Sequence, residues 1–139
     1  MKIPGQIPHH APHPAERRRL EDFSPYVREA REVFRPTWHL GERRLFDYLV
    51  VYLIEGTVSF SINGAPFDAR SGDLVWIPPD TPHEMRGHAP GTTLQYLHFD
   101  LCYDPARSHW SAAIPAGTLD LSAWAERIHP PIEDAVVGS

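Results

Sequence analysis

The sequence holds a single cysteine, Cys102, so no disulfide can form within the chain. A reducing compartment, the cytoplasm, is the expected setting. No apolar run approaches the ~20 residues that cross a bilayer. The longest, Leu49 to Ile54, has the length of one strand, and the first residues lack the apolar segment of a signal peptide. Basic charge is scarce as well: 13 Lys and Arg stand against 18 Asp and Glu, a net charge of −5. That balance disfavours direct contact with nucleic acid, whose phosphates demand a basic surface. The one basic run, Arg17-Arg18-Arg19, lies among Glu16, Glu21 and Asp22 and reads as a solvated face. There is no Gly-x-Ser-x-Gly elbow and no glycine-rich phosphate loop. Cys102 and His98 do not make a nucleophile pair either. Four residues apart on a strand, they stand about 13 Å from one another at ~3.3 Å per residue.

What the sequence has is punctuation. Fifteen prolines and nine glycines in 139 residues favour many turns over long helices, and the length suits one domain. Residues 1–22 are rich in proline and histidine, then charged, and read as a flexible arm. His9, His10 and His13 could chelate a metal loosely, but nothing nearby fixes a ligand geometry. Residues 23–45 are ambiguous: Ser24-Pro25 would open a helix, while Tyr26, Val27, Val33 and Phe34 favour extended structure. Extended structure is the expectation.

From Phe46 the pattern is clear. Phe46 to Ile54 is apolar on both faces and predicts a buried strand. Glu55-Gly56 breaks it, and Thr57 to Ile62 alternates, with Val58, Phe60 and Ile62 on one face. Asn63-Gly64 predicts a type I′ hairpin. Strands over 66–69, 74–77, 83–86 and 92–101 follow, separated by Ser71-Gly72-Asp73, a proline loop over 78–82, and a loop over 87–91. Trp76 is expected in the core. Such short strands predict an antiparallel sandwich or barrel. Asp120 or Ser122 would cap a short helix carrying Leu121, Trp124, Ala125 and Ile128 at helical spacing, stopped by Pro130-Pro131.

The most specific segment is Gly72-Asp73-Leu74-Val75-Trp76-Ile77-Pro78-Pro79-Asp80-Thr81-Pro82-His83. It resembles the second motif of cupins, in which a glycine, a proline loop and an inward histidine follow in order. Phe46 to Gly56 resembles the strand and Glu-Gly turn of the first motif. Within cupins, Arg43 and Arg44 leading to Asp47-Tyr48, and the closing His98-Phe99-Asp100, resemble the sensor domain of AraC-type transcription regulators. The resemblance implies a mainly β cupin barrel (a double-stranded β-helix or jelly roll) over 23–115, with a short C-terminal helix and linker over 116–139. It also implies a small-molecule effector such as a sugar, a homodimer, and DNA contact only through a helix-turn-helix domain missing from this chain.

Metal-binding cupins carry a His-x-His and a glutamate in the first motif. Here those positions fall near Arg43, Leu45 and Leu49, so most of the ligand set is missing. No metal and no cofactor are expected, and no enzyme. The alternative is a stand-alone metal-dependent cupin isomerase or dioxygenase acting on a small sugar or keto acid. Candidate ligand contacts are His83, placed inward by the motif, and Tyr96 and His98, which share a strand face with Leu94. Arg43 would offer a bidentate donor, and Trp38 and His39 part of a lid. Each has a plain counterpart: His83 as a satisfied structural histidine, Tyr96 as core, His98 as an internal hydrogen-bond donor. The unfinished segment 132–139 favours a chain that continues.

Overall fold

The computed structural model describes residues 16–17, 20–129 and 132–133. Two four-stranded antiparallel sheets face one another. One has the order β2-β9-β4-β7, built from β2 (Tyr26–Arg35), β9 (Thr92–Asp100), β4 (Tyr48–Glu55) and β7 (Leu74–Ile77). The other has the order β3-β8-β5-β6, from β3 (Trp38–Arg43), β8 (His83–Gly87), β5 (Thr57–Ile62) and β6 (Ala65–Arg70). The segment over 23–45 is extended, as its β-formers suggested.

Alternation sets the core. Val58, Phe60 and Ile62 of β5 point inward with Leu49, Val51 and Leu53 of β4, Val75 and Ile77 of β7, and Leu94 of β9, all buried. Asn63 and Gly64 hold φ of 52° and 76°, the left-handed pair of a type I′ turn. The outer face of β4 departs from expectation. Val50 is half-buried and Tyr52 exposed, so this strand is buried on one side, as antiparallel sheets allow. Trp76 also lies on that outer side. It packs against Tyr48 and Phe99, at ring separations of 5.0 and 5.6 Å, rather than in the core.

The C-terminal helix is reduced to a 3-10 turn over Ser122–Arg127 with a non-helical Trp124. Leu121 and Ile128 are buried at its ends, while Trp124 stays exposed. Six residues are too few for a cooperative α-helix, so burial of the two end residues decides the conformation. Most of the expected arm, 1–22, lies outside the described residues. Within it, β1 (Glu16–Arg17) pairs in parallel with β10 (Ile132–Glu133).

Gly87 faces Trp38 across the β3–β8 ladder, and a Cβ on Gly87 would sit 1.9 Å from the indole Nε1. The indole therefore occupies the space that any other residue would fill. Gly87→Ala is expected to lower stability by about 1–3 kcal/mol in urea unfolding, the usual cost of overpacking. Trp38→Ala in the same background is expected to recover part of that loss.

Candidate functional site

The space between the sheets is not filled. A cavity of about 360 Å³ opens between them, with a wall that is mostly apolar: Leu40, Leu49, Val51, Met85, Leu94 and Ile114. Its polar groups are few: Glu29, Arg35, Arg43, Tyr96 and His98, with the indole of Trp38. Small-molecule sites have this composition.

Local backbone geometry aims these side chains. Leu94, Tyr96 and His98 come inward by simple alternation along β9. Arg43 does not, because it is out of phase with Trp38 and Leu40. The register of β3 on β8 shifts between Leu40 and Arg43, and that irregularity brings the guanidinium to the same side. A second shift, between Val27 and Glu29 on β2, leaves Arg28 unpaired in the ladder and Glu29 on the cavity wall.

Arg28 is the centre of a buried charge cluster beneath the cavity. Its Nη1 and Nη2 donate to the two carboxylate oxygens of Asp100, and Nη1 reaches Asp47 Oδ2 at 3.1 Å. Both carboxylates are fully buried and the arginine side chain is 3% exposed. Arg28 Nε donates to the Ser108 carbonyl at 3.2 Å, and the guanidinium lies 4.1 Å from the ring centroid of Trp110. Each carboxylate also has a histidine beside it. His98 Nδ1 sits 3.3 Å from Asp47 Oδ1, and His129 Nε2 lies 3.1 Å from Asp100 Oδ2, poorly aligned for a hydrogen bond. Burial pushes the Asp100 carboxyl up, but His129, Arg28 and Ser108 together hold it below its ordinary range.

The same cluster fixes the loop over 104–115. Ser108 Oγ donates to Asp100 Oδ2 at 2.8 Å, and Asp104 accepts the amide of Ser108 at 2.7 Å. The loop ends in Ala113, Ile114 and Pro115, which close one side of the cavity. Arg43 Nη1 ties that end down by donating to the Ile114 carbonyl at 2.8 Å.

Of the six residues singled out from sequence, Trp38, Arg43, Tyr96 and His98 line the cavity. Trp38 belongs to β3 rather than to a lid, and its Nε1 donates to Thr92 Oγ1 at 2.8 Å. The other two lie elsewhere. His39 alternates to the outside of β3, where it pairs with Glu84 on the surface. His83 is fully buried behind the wall, opposite Arg43 in the ladder, with its Nδ1 2.9 Å from the Thr81 carbonyl oxygen. Its Nε2 has no hydrogen-bond partner. Desolvation lowers its pKa to about 4; the Thr81 carbonyl opposes this, and Arg43 and His98 add to it.

Arg28, Glu29, Asp47 and Asp100 carry the site, yet as ligand contacts or anchors they went unread. Asp47 and Asp100 lay inside the two stretches of distinctive wording, which was the available signal. For the cupin metal set, the donors do not fit: among the described residues no group of three or more His, Cys, Asp or Glu is placed to hold a metal ion. The first-motif positions are a cation, Arg43, and two leucines, of which Leu45 is core.

The comparisons with known proteins agree with this architecture. The profile of the AraC-like ligand binding domain matches residues 25–121. The chain belongs to that family, and its fold is the cupin barrel. No curated protein matches it in sequence. Similar solved structures include the cupin domain of Cnp3 from Schizosaccharomyces pombe, at 14% identity and a TM-score of 0.48 over 55% of this chain. The alignment spans 61% of that structure's chain. KdgF from Halomonas sp. aligns at 14% identity and a TM-score of 0.46, over 73% of this chain and 97% of its own. A salicylate 1,2-dioxygenase variant from Pseudoaminobacter salicylatoxidans aligns at 16% identity and 0.44, over 61% and 26%. No helix among the described residues is long and apolar enough to cross a membrane.

Two predictions follow from the buried charges. Arg28→Ala strands two buried carboxylates, and the expected loss is about 3–5 kcal/mol in denaturant unfolding. Arg28→Lys is expected to recover little, because an ammonium cannot make the forked contact with Asp100. His83 gives a pH dependence. The unfolded histidine takes a proton near 6.5, while the folded one stays neutral to about 4. Between those values the unfolded state holds more protons, so stability falls as pH falls. The His83 contribution is a loss on the order of 3 kcal/mol across that window. His83→Asn should flatten the slope in urea titrations between pH 6.5 and 4.

Proposed function

We propose that this domain senses a small molecule held in the cavity between its sheets, and that it is a regulator's sensor rather than a catalyst. Family membership carries the ligand-binding reading. The observation that favours sensing over turnover is the state of the cavity's polar groups. Tyr96 donates to Glu29 Oε1 at 3.1 Å, and His98 is held by Asp47. Burial, together with that bond to Glu29, raises the tyrosine pKa and keeps the hydroxyl protonated. These groups recognise and orient; no pair of them is arranged as nucleophile and base. An aromatic face on Trp38, hydroxyl and imidazole donors, and an arginine suit a polar metabolite with a C–H face, such as a sugar or sugar derivative.

The output would run through the C-terminal side of the domain to a DNA-binding partner domain on the same polypeptide, working as a dimer in the cytoplasm. His129, next to the chain's passage to β10, rests against Asp100 of the buried cluster, and the other end of that cluster is His98 on the cavity wall. A ligand changes such an output only if it binds two states of the domain with different affinity.

A thermal-shift screen of sugars, sugar acids, polyols and small hydroxy acids tests this. A ligand at about 100 times its Kd should stabilise the domain by about 2.7 kcal/mol. Tyr96→Ala and His98→Ala should each reduce that shift while leaving the barrel folded. Chemical conversion of the stabilising compound by the purified domain would remove the sensor reading in favour of an enzyme.

A further inference from the structure

Arg43 is placed where a cation is costly. Its Nε is buried and, among the described residues, has no hydrogen-bond partner; the guanidinium's hydrogen bond within that set is the one to the Ile114 carbonyl. Among the described residues it forms no salt bridge, although it faces the cavity. The two nearest acids are already engaged. Asp47 is bound by Arg28 and His98, and Glu29 by the Tyr96 hydroxyl and by Arg31, whose Nε is 2.8 Å away. Arg35, at the exposed edge of the same cavity, has no ion pair among the described residues either; it lies 5.6 Å from the Trp38 ring centroid. The cavity therefore holds two guanidinium groups without carboxylate partners among the described residues, one deep and one at the rim. A buried charge left unpaired costs several times what a neutral polar group costs.

We infer that the ligand of this cavity is an anion bearing one carboxylate beside hydroxyl groups, with the carboxylate seated on Arg43 and guided in past Arg35. This deepens the sensing reading and rests on it. Burial lowers the Arg43 pKa, and Asp47 and Glu29, acting from a distance, only partly offset this. A carboxylate at the free guanidinium edge would complete the set, since arginine's fork matches its two oxygens. Phosphate fits less well. A dianion would face Glu29 in the same wall, and neither helix of the described residues ends in the lining. With Tyr96 and Glu29 at one side, hydroxyls on the ligand find both donor and acceptor.

The test is a set of matched probes differing in the carboxylate alone: galacturonate against galactose, glucuronate against glucose, and benzoate against benzamide. Each is titrated into the wild-type domain by calorimetry, and by NMR on the Arg43 Nε–H and Trp38 indole signals. At least one acid is expected to bind roughly 10- to 100-fold more tightly than its neutral twin, the size of a charge-assisted hydrogen-bond pair. It should shift both signals. Arg43→Gln should abolish that preference, Arg43→Lys should keep a reduced one, and Arg35→Gln should slow association while leaving the preference in place.

Equal binding of acid and neutral twin overturns the anion assignment. So does binding of the neutral twin alone, tighter binding of galactose 1-phosphate than of galacturonate, or failure of every acid to move the Arg43 signal. A neutral sugar that shifts Trp38 would leave the sensing reading standing while the carboxylate falls. Should Arg43→Gln fail to fold, the wild-type titrations and Arg43→Lys decide the matter alone.

Discussion

The contact between Arg28 and two buried carboxylates is the constraint on which the rest of the molecule depends. Asp47 enters β4 and Asp100 ends β9, so one guanidinium joins the ends of adjacent strands with the bulge of a third. Buried ion groups of this kind seldom add much net stability, because desolvation offsets attraction. What they impose is geometry. The fork of Arg28 fixes the strand ends, the stacking of Trp110 fixes the loop over 104–115, and Asp47 fixes the ring of His98. An apolar core of equal volume would satisfy the same space without specifying any of these.

Above that cluster the domain leaves a cavity where a small barrel would normally be packed solid. The cavity persists because its wall includes groups that resist collapse onto one another: an arginine, a glutamate and a tyrosine each fixed in the wall by its own bonds. Charge on the wall is balanced unevenly. Glu29 and Asp47 are spoken for, whereas the guanidinium of Arg43 keeps unfilled donors. The site is thus pre-organised on its acidic side and incomplete on its basic side.

The strand framework was legible in the sequence for a physical reason. Alternation in Thr57 to Ile62 and the Asn63-Gly64 turn act locally, and nothing in the tertiary structure opposes them. The inward face of Leu94, Tyr96 and His98 followed from the same period. Arg43 was chosen for its donor chemistry and not for its phase, which is set by a register shift that pattern reading does not detect. Arg28 and Glu29 stayed hidden behind the second such shift. Tyr26 to Arg35 carries charges on both faces, so its alternation gives no inner side. Trp76 was misplaced because aromatic residues on a short strand suggest core, whereas here three rings build their own cluster on the outer sheet face. The C-terminal helix failed for want of length: the apolar spacing was present, but Leu121 and Ile128 are served by two anchors and a 3-10 turn between them.

The loop over 104–115 ties the two ends of the site together. It is held at one end by Ser108 and Trp110 on the Arg28 cluster and at the other by the Ile114 carbonyl on Arg43. Under the sensing reading, Arg43 is shared between the loop and whatever fills the cavity. A ligand that draws the guanidinium towards itself weakens its grip on Ile114, and one that completes the open edge strengthens it. Either course would give a signal only where the ligand binds two placements of the loop with different affinity. The apolar wall supplies affinity, and Ala113, Ile114 and Pro115 bring the loop into it. On the sensing reading, discrimination and response fall on the same side chain, because Arg43 both faces the cavity and holds the Ile114 carbonyl.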